Sequence, residues 1–132
     1  MRSRFDEFRL AARRQNATAA EIALGDFEKH LIRWTQAEEQ VLIPALERAQ
    51  ISGRDVRREL RLEYVQIREL TRLIVRQIVE HIRLDDLSGY VENLDRRLRA
   101  HEQDMENVYY PAAETMLTAD EWSVLEASRP DE

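Results

Sequence analysis

The sequence predicts an all-α fold: an up-and-down antiparallel four-helix bundle with a short fifth helix at its C-terminal end. Three observations carry that prediction. Apolar residues recur at spacings of three and four along most of the chain, with Arg and Glu filling the opposite faces. Helix-start signals precede the periodic segments. With only three Gly and three Pro in 132 residues, the chain is too poor in turn residues for a protein of many hairpins.

Phe5, Phe8 and Ala12 mark a short first stripe, predicting a helix near 2–15. Phe27, Leu31, Trp34, Val41, Leu42 and Ala45 mark the second, near 19–49, where Thr18-Ala-Ala-Glu21 reads as a capping box. Leu60, Tyr64, Ile67, Ile74 and Ile78 mark the third, near 54–83, behind Ser52-Gly-Arg-Asp55. Val91, Leu94, Leu98, Met105 and Val108 mark the fourth, near 88–117, with Ser88 as a weaker cap. Thr118-Ala-Asp-Glu121 opens the fifth, near 119–127. The connections at 50–53 and 84–89 are short, so neighbouring helices are expected to run antiparallel. No linker or low-complexity tract interrupts the pattern, and residues 1–132 are expected to form one domain.

Composition narrows the function classes. The formal net charge of −6 argues against general affinity for nucleic acid or anionic membrane. No cysteine is present, which excludes disulfides, thiol redox chemistry and thiolate-held zinc or iron–sulfur centres. No stretch approaches the apolar length of a signal peptide or membrane span, so a soluble cytoplasmic protein is expected. Lys29 is the only lysine, an arginine bias that points to a GC-rich coding sequence rather than to a function.

One internal repeat stands out. Trp34-Thr-Gln-Ala-Glu-Glu-Gln-Val-Leu-Ile-Pro44-Ala45 aligns with His101-Glu-Gln-Asp-Met-Glu-Asn-Val-Tyr-Tyr-Pro111-Ala112, matching at Gln36/Gln103, Glu39/Glu106, Val41/Val108, Pro44/Pro111 and Ala45/Ala112. Each copy sets a proline well inside a helix, where it removes one donor and crowds the carbonyl of Gln40 or Asn107. Two prolines in matching places argue for a duplicated helix pair, with a bend in each.

Ionisable residues on the inward stripes are the candidates for chemistry, because bundles build their sites from side chains on facing helices. Glu38 points with Trp34 and Val41; it is either a buried carboxylate in need of a partner or a stripe-edge Glu that reaches water or an Arg. His101 falls between Leu98 and Met105, as a ligand or as a hydrogen-bonded core histidine. Glu106 lies five residues on, turned about 140° around the helix. It joins His101 only if the side chains converge, and otherwise belongs to the solvated acidic run 102–106. His30 shares the face of Trp34 and Glu38, while His81, about 25 Å along the axis from Tyr64, reads as a helix-end histidine. There is no Gly-rich phosphate loop, nucleophile elbow, His-Glu-x-x-His pair or haem-attachment motif, and no nucleophile–base arrangement, so a non-catalytic role is expected.

At these residues the sequence resembles the hemerythrin-like HHE cation-binding domains, four-helix bundles that hold a non-haem di-iron centre between the helices. The duplicated segments ending in Val41-Leu-Ile-Pro44 and Val108-Tyr-Tyr-Pro111 carry the likeness, and Leu117-Thr-Ala-Asp-Glu-Trp122 resembles the family's C-terminal segment. It runs from about Phe5 to Trp122. The resemblance implies ligand positions at Phe8 on the first helix, Trp34 and Glu38 on the second, Tyr64 (after Glu63) and Arg68 on the third, and His101 with Glu106 on the fourth. Only Glu38, His101 and Glu106 can still ligate as the family does.

Phe and Trp offer iron no lone pair and bring apolar area that fills the vacated volume. Arg68, if inward, adds a positive charge able to pair Glu38 or Glu106. An intact di-iron centre is therefore not expected. A reduced site for one iron or other divalent ion would use His101, Glu106 and Glu38, with Tyr64 as phenolate or His30 in a shifted register. What the resemblance implies is a non-catalytic protein of the iron- or oxygen-binding or sensing type. The alternative is a metal-free module that binds a small ligand or a protein partner.

Overall fold

The computed structural model describes residues 2–51, 53–80 and 83–128, and among them every regular element is helical. Helix α1 spans Arg2–Arg13. Helix α2 comprises Ala17–Ala37, a π-helical turn at Glu38–Leu42, and Ile43–Ala49. Helix α3 is Val56–Val79. A 3₁₀ turn at Leu84–Leu87 leads into α4, which comprises Ser88–Asp104, a second π turn at Met105–Tyr109, and Tyr110–Ala113. Helix α5 is Ala119–Ser128. Helices α1 to α4 form the bundle, and α5 packs against α2 and its π turn.

Local chemistry sets the ends. Gln15 and Gln50 adopt left-handed φ values of 59° and 53°, turning the chain out of α1 and α2. Helix α2 is capped by Asn16, whose side chain accepts from the Ala19 N–H at 3.1 Å; Thr18 is already inside the helix. Asn caps at least as well as Thr, and it stands directly after the left-handed residue. Asp55 caps α3 by accepting from the Arg58 N–H at 3.2 Å, while the proposed Ser52 lies outside the described residues. At α5 the expected capping box is complete: Glu121 N–H donates to Thr118 Oγ1 at 3.1 Å and Thr118 N–H to Glu121 Oε1 at 3.0 Å. Ser88 caps nothing, because the 3₁₀ turn runs straight into α4. Helices α3 and α4 end several residues before the expected 83 and 117.

Each internal proline stands two residues after the end of a π turn. Ile43 N–H bonds the carbonyl of Glu38, and Tyr110 N–H that of Met105, each reaching back five residues. A proline has no N–H to give and its ring crowds the carbonyl four residues back; a widened turn just before it relieves both. Each π turn inserts one residue into the α register, so the buried stripe slips. Leu42, Ile43 and Leu46 are buried where Val41 is half-buried, and Tyr109 takes the inward place expected of Val108.

The apolar core falls into two clusters. One gathers Phe5, Phe8, Phe27, Leu31, Trp34, Ile67, Leu94 and Leu98 among others. The other gathers Leu42, Leu46, Leu60, Tyr64, Met105, Tyr109 and Leu125. Phe8 is fully buried beside Phe5, with ring centroids 6.0 Å apart, and serves packing only. Trp34 and Tyr64 sit on either side of the division, their rings 6.2 Å apart.

Candidate cation site

Glu38 (α2), Tyr64 and Glu63 (α3) and His101 (α4) meet where the two clusters adjoin. Glu38 and His101 are fully buried, and Tyr64 is 1 % exposed. The Tyr64 hydroxyl donates to Glu38 Oε2 at 2.7 Å. His101 Nε2 faces the same oxygen at 3.6 Å, an ion-pair distance rather than a hydrogen bond. On its other edge, His101 Nδ1 donates to Glu63 Oε1 in a short hydrogen bond. Trp34 closes the assembly: its ring meets His101 edge to face, with centroids 4.6 Å apart and planes at 89°. Tyr64 and His101 rings are 5.7 Å apart. The indole, the phenol and the imidazole thus converge on one interior point, as the ligand positions implied by the resemblance would have them do.

Electrostatics assign the protons. Burial alone would lower the His101 pKa, but the nearby Glu38 carboxylate, the hydrogen bond to Glu63 and the charge of both outweigh it, raising the value to about 9. His101 is therefore an imidazolium near neutrality, lodged between two carboxylates. Burial first, and then Glu38, hold the Tyr64 phenol far above its ordinary range. In the metal-free protein Tyr64 is a neutral donor to Glu38. Two buried atoms of the site lack a hydrogen-bond partner among the described residues: Glu38 Oε1 and His101 Nε2.

Other expected participants lie elsewhere. Glu106 is exposed and lines a surface groove with Asp6, Arg99, Glu102 and Gln103. The π turn begins at Met105, which takes the inward place at 2 % exposure and leaves Glu106 facing out. His30 is half-buried and sits two turns before Glu38, roughly 12 Å along the axis, too far to join it. Arg68 is half-buried, with no hydrogen-bond partner for its Nε among the described residues. The cation beside Glu38 is His101, not Arg68. His81 lies outside the described residues. Glu63 is the participant the apolar stripes did not single out. Its signal was present: it stands three after Leu60 and four before Ile67, on the edge of the same face.

These donors do not fit a di-iron centre. His101 is the one imidazole at the site, and Trp34 and Tyr64 occupy positions that the resemblance gives to histidines. Among the described residues no group of three His, Asp or Glu side chains could hold a metal ion. Glu38 and Glu63 address different nitrogens of one ring, so they share no common point. The Glu38–His101 pair offers two donors at most. Two donors of one tetrahedral ion stand roughly 3.3–3.6 Å apart, and His101 Nε2 and Glu38 Oε2 are separated by 3.6 Å beside an unsatisfied Oε1.

No described helix is long and apolar enough to cross a membrane. Comparison with curated proteins gives no match, nor does comparison with solved structures. Comparison with protein families matches residues 1–113, up to the last residue of α4, to the Hemerythrin HHE cation binding domain. That family comprises metal- and oxygen-binding or sensing proteins. The chain belongs to the hemerythrin HHE cation-binding domain family.

Proposed function

We propose that this protein is a non-catalytic, cation-binding or sensing member of the family whose centre has contracted from two metal positions to one. The retained donors are His101 Nε2 and Glu38, with the Tyr64 hydroxyl alongside and water completing the shell. The observation that carries this reading is that the fully buried Glu38 and His101, whose Oε2 and Nε2 stand 3.6 Å apart, each keep a polar atom without a hydrogen-bond partner among the described residues, Glu38 Oε1 and His101 Nε2. In the metal-free protein, the proton of the imidazolium balances Glu38. A divalent ion bound there would supply an open coordination position.

The test is titration of the purified protein with Fe²⁺ and Zn²⁺ under anaerobic conditions, followed by elemental analysis. One ion per chain is expected, lost in His101→Ala and in Glu38→Ala and unaffected by Glu106→Ala. Two ions per chain, or none, would overturn the reading.

A second reading has its own support. His101 is flanked on both edges by carboxylates and packed by Trp34, so its charge is balanced without metal. On that reading the bundle is a metal-free interaction or small-ligand module, and the same titration returns no ion.

A further inference from the structure

We infer that Glu63 is the positioning residue of the centre: it fixes the imidazole of His101 so that Nε2 faces Glu38. The inference rests on the single-cation reading for its consequence, but its geometry stands independently. An imidazole can present either edge after a half-turn about its outer side-chain bond. A turned ring would put carbon where Nδ1 now meets Glu63 and carbon where Nε2 now meets Glu38. Trp34 cannot make the choice, because an edge-to-face contact at 4.6 Å accepts either orientation. The Glu63 carboxylate can, since only Nδ1–H gives it a hydrogen bond.

The arrangement on α3 supports this role. Glu63 and Tyr64 are consecutive, and each holds one of the two donors that come from other helices. Tyr64 bonds Glu38 on α2, and Glu63 bonds His101 on α4. One helix thereby presents the two donors to each other. A carboxylate on the second nitrogen of a metal-binding histidine sets its tautomer and raises its basicity, and losing such a partner weakens metal affinity by roughly 10- to 100-fold. Glu63 also stands at the margin of the core: its side chain is 23 % exposed and lines the α3–α4 groove with Glu59, Gln66, Arg97 and Asp104. It can be replaced without opening a cavity.

The experiment uses Glu63→Leu and Glu63→Gln in the full chain, with two readouts. The first is long-range ¹H–¹⁵N correlation on histidine-labelled, metal-free protein, at an alkaline pH above the His101 value of about 9. Wild type and Glu63→Gln are expected to show the Nδ1–H tautomer, and Glu63→Leu a mixture. The second is titration with Co²⁺ alone, where Glu63→Leu is expected to bind roughly 10- to 100-fold more weakly and Glu63→Gln to recover most of the loss. An unchanged tautomer in Glu63→Leu overturns the positioning role whatever the metal result. Failure of wild type to bind Co²⁺, with the tautomer shift present, overturns the single-cation reading and leaves the positioning role standing. Equal Co²⁺ affinity in wild type and Glu63→Leu removes the role from metal binding.

Discussion

Trp34 stands in the first repeat where His101 stands in the second, and the two rings meet each other edge to face at 4.6 Å. One copy of the motif kept an imidazole and the other supplies the wall it leans on. The π turns keep the same correspondence, beginning at Glu38 and Met105, each four residues after the aligned ring. Both halves therefore bring their rings to the same level of the bundle.

Stability should depend on pH through His101. Its folded pKa of about 9 lies above the 6.5 of a free imidazole. Its contribution is thus fully present below about pH 6.5 and is lost as pH rises through about 9. Urea unfolding of wild type is expected to lose on the order of 2–3 kcal/mol between pH 6 and pH 10. His101→Gln is expected to flatten that slope, and an equally steep profile in the variant would assign the effect to other groups.

Glu38 should be the least replaceable polar side chain in the core. Glu38→Ala strands a buried imidazolium and the Tyr64 hydroxyl, and a cost of roughly 3–5 kcal/mol is expected. Glu38→Gln keeps an acceptor for Tyr64 and loses only the charge, so it should cost less. Equilibrium denaturation of both variants near neutral pH decides it; equal losses would mean that the charge contributes nothing.

The π turn at Glu38–Leu42 and Pro44 should be coupled. Deleting the exposed Gln40 restores a continuous α register and drives the proline ring against the preceding turn, a cost of about 3 kcal/mol. Combining that deletion with Pro44→Ala should recover a large part of the loss. Thermal melts of the single and double variants test this, and additive effects would contradict it.

Thr118→Ala should destabilise the protein by about 1 kcal/mol, because it breaks the reciprocal cap at the start of α5. The effect should appear in the overall melting temperature, since Leu125 of α5 is buried in the same cluster as Tyr64. Hydrogen exchange confined to α5, with no change in melting, would show that this helix opens independently.

Much of this was legible in the chain. Helical periodicity gave the bundle, and the box at Thr118 and Glu121 was visible as spacing alone. The stripes turned Trp34, Tyr64, Glu38 and His101 inward, and the resemblance set them at one level. What spacing could not convey was the π register. A regular helix points Val41 and Val108 inward, whereas the extra residue in each π turn brings Ile43 and Tyr109 into the core. Glu63 was hidden for a different reason. A charged residue beside an inward tyrosine reads as surface until its partner on another helix is known.

The hydrogen-bonded belt between the two apolar clusters has a mechanical consequence. Greasy rods in contact can slide past one another by a helical turn, about 5.4 Å, at modest cost. Here such a slip of α4 would carry His101 away from two carboxylates at once and strand the fully buried Glu38 in a dry interior. The belt therefore works as a detent, fixing the axial alignment of α2, α3 and α4 where apolar packing alone would leave neighbouring alignments in competition.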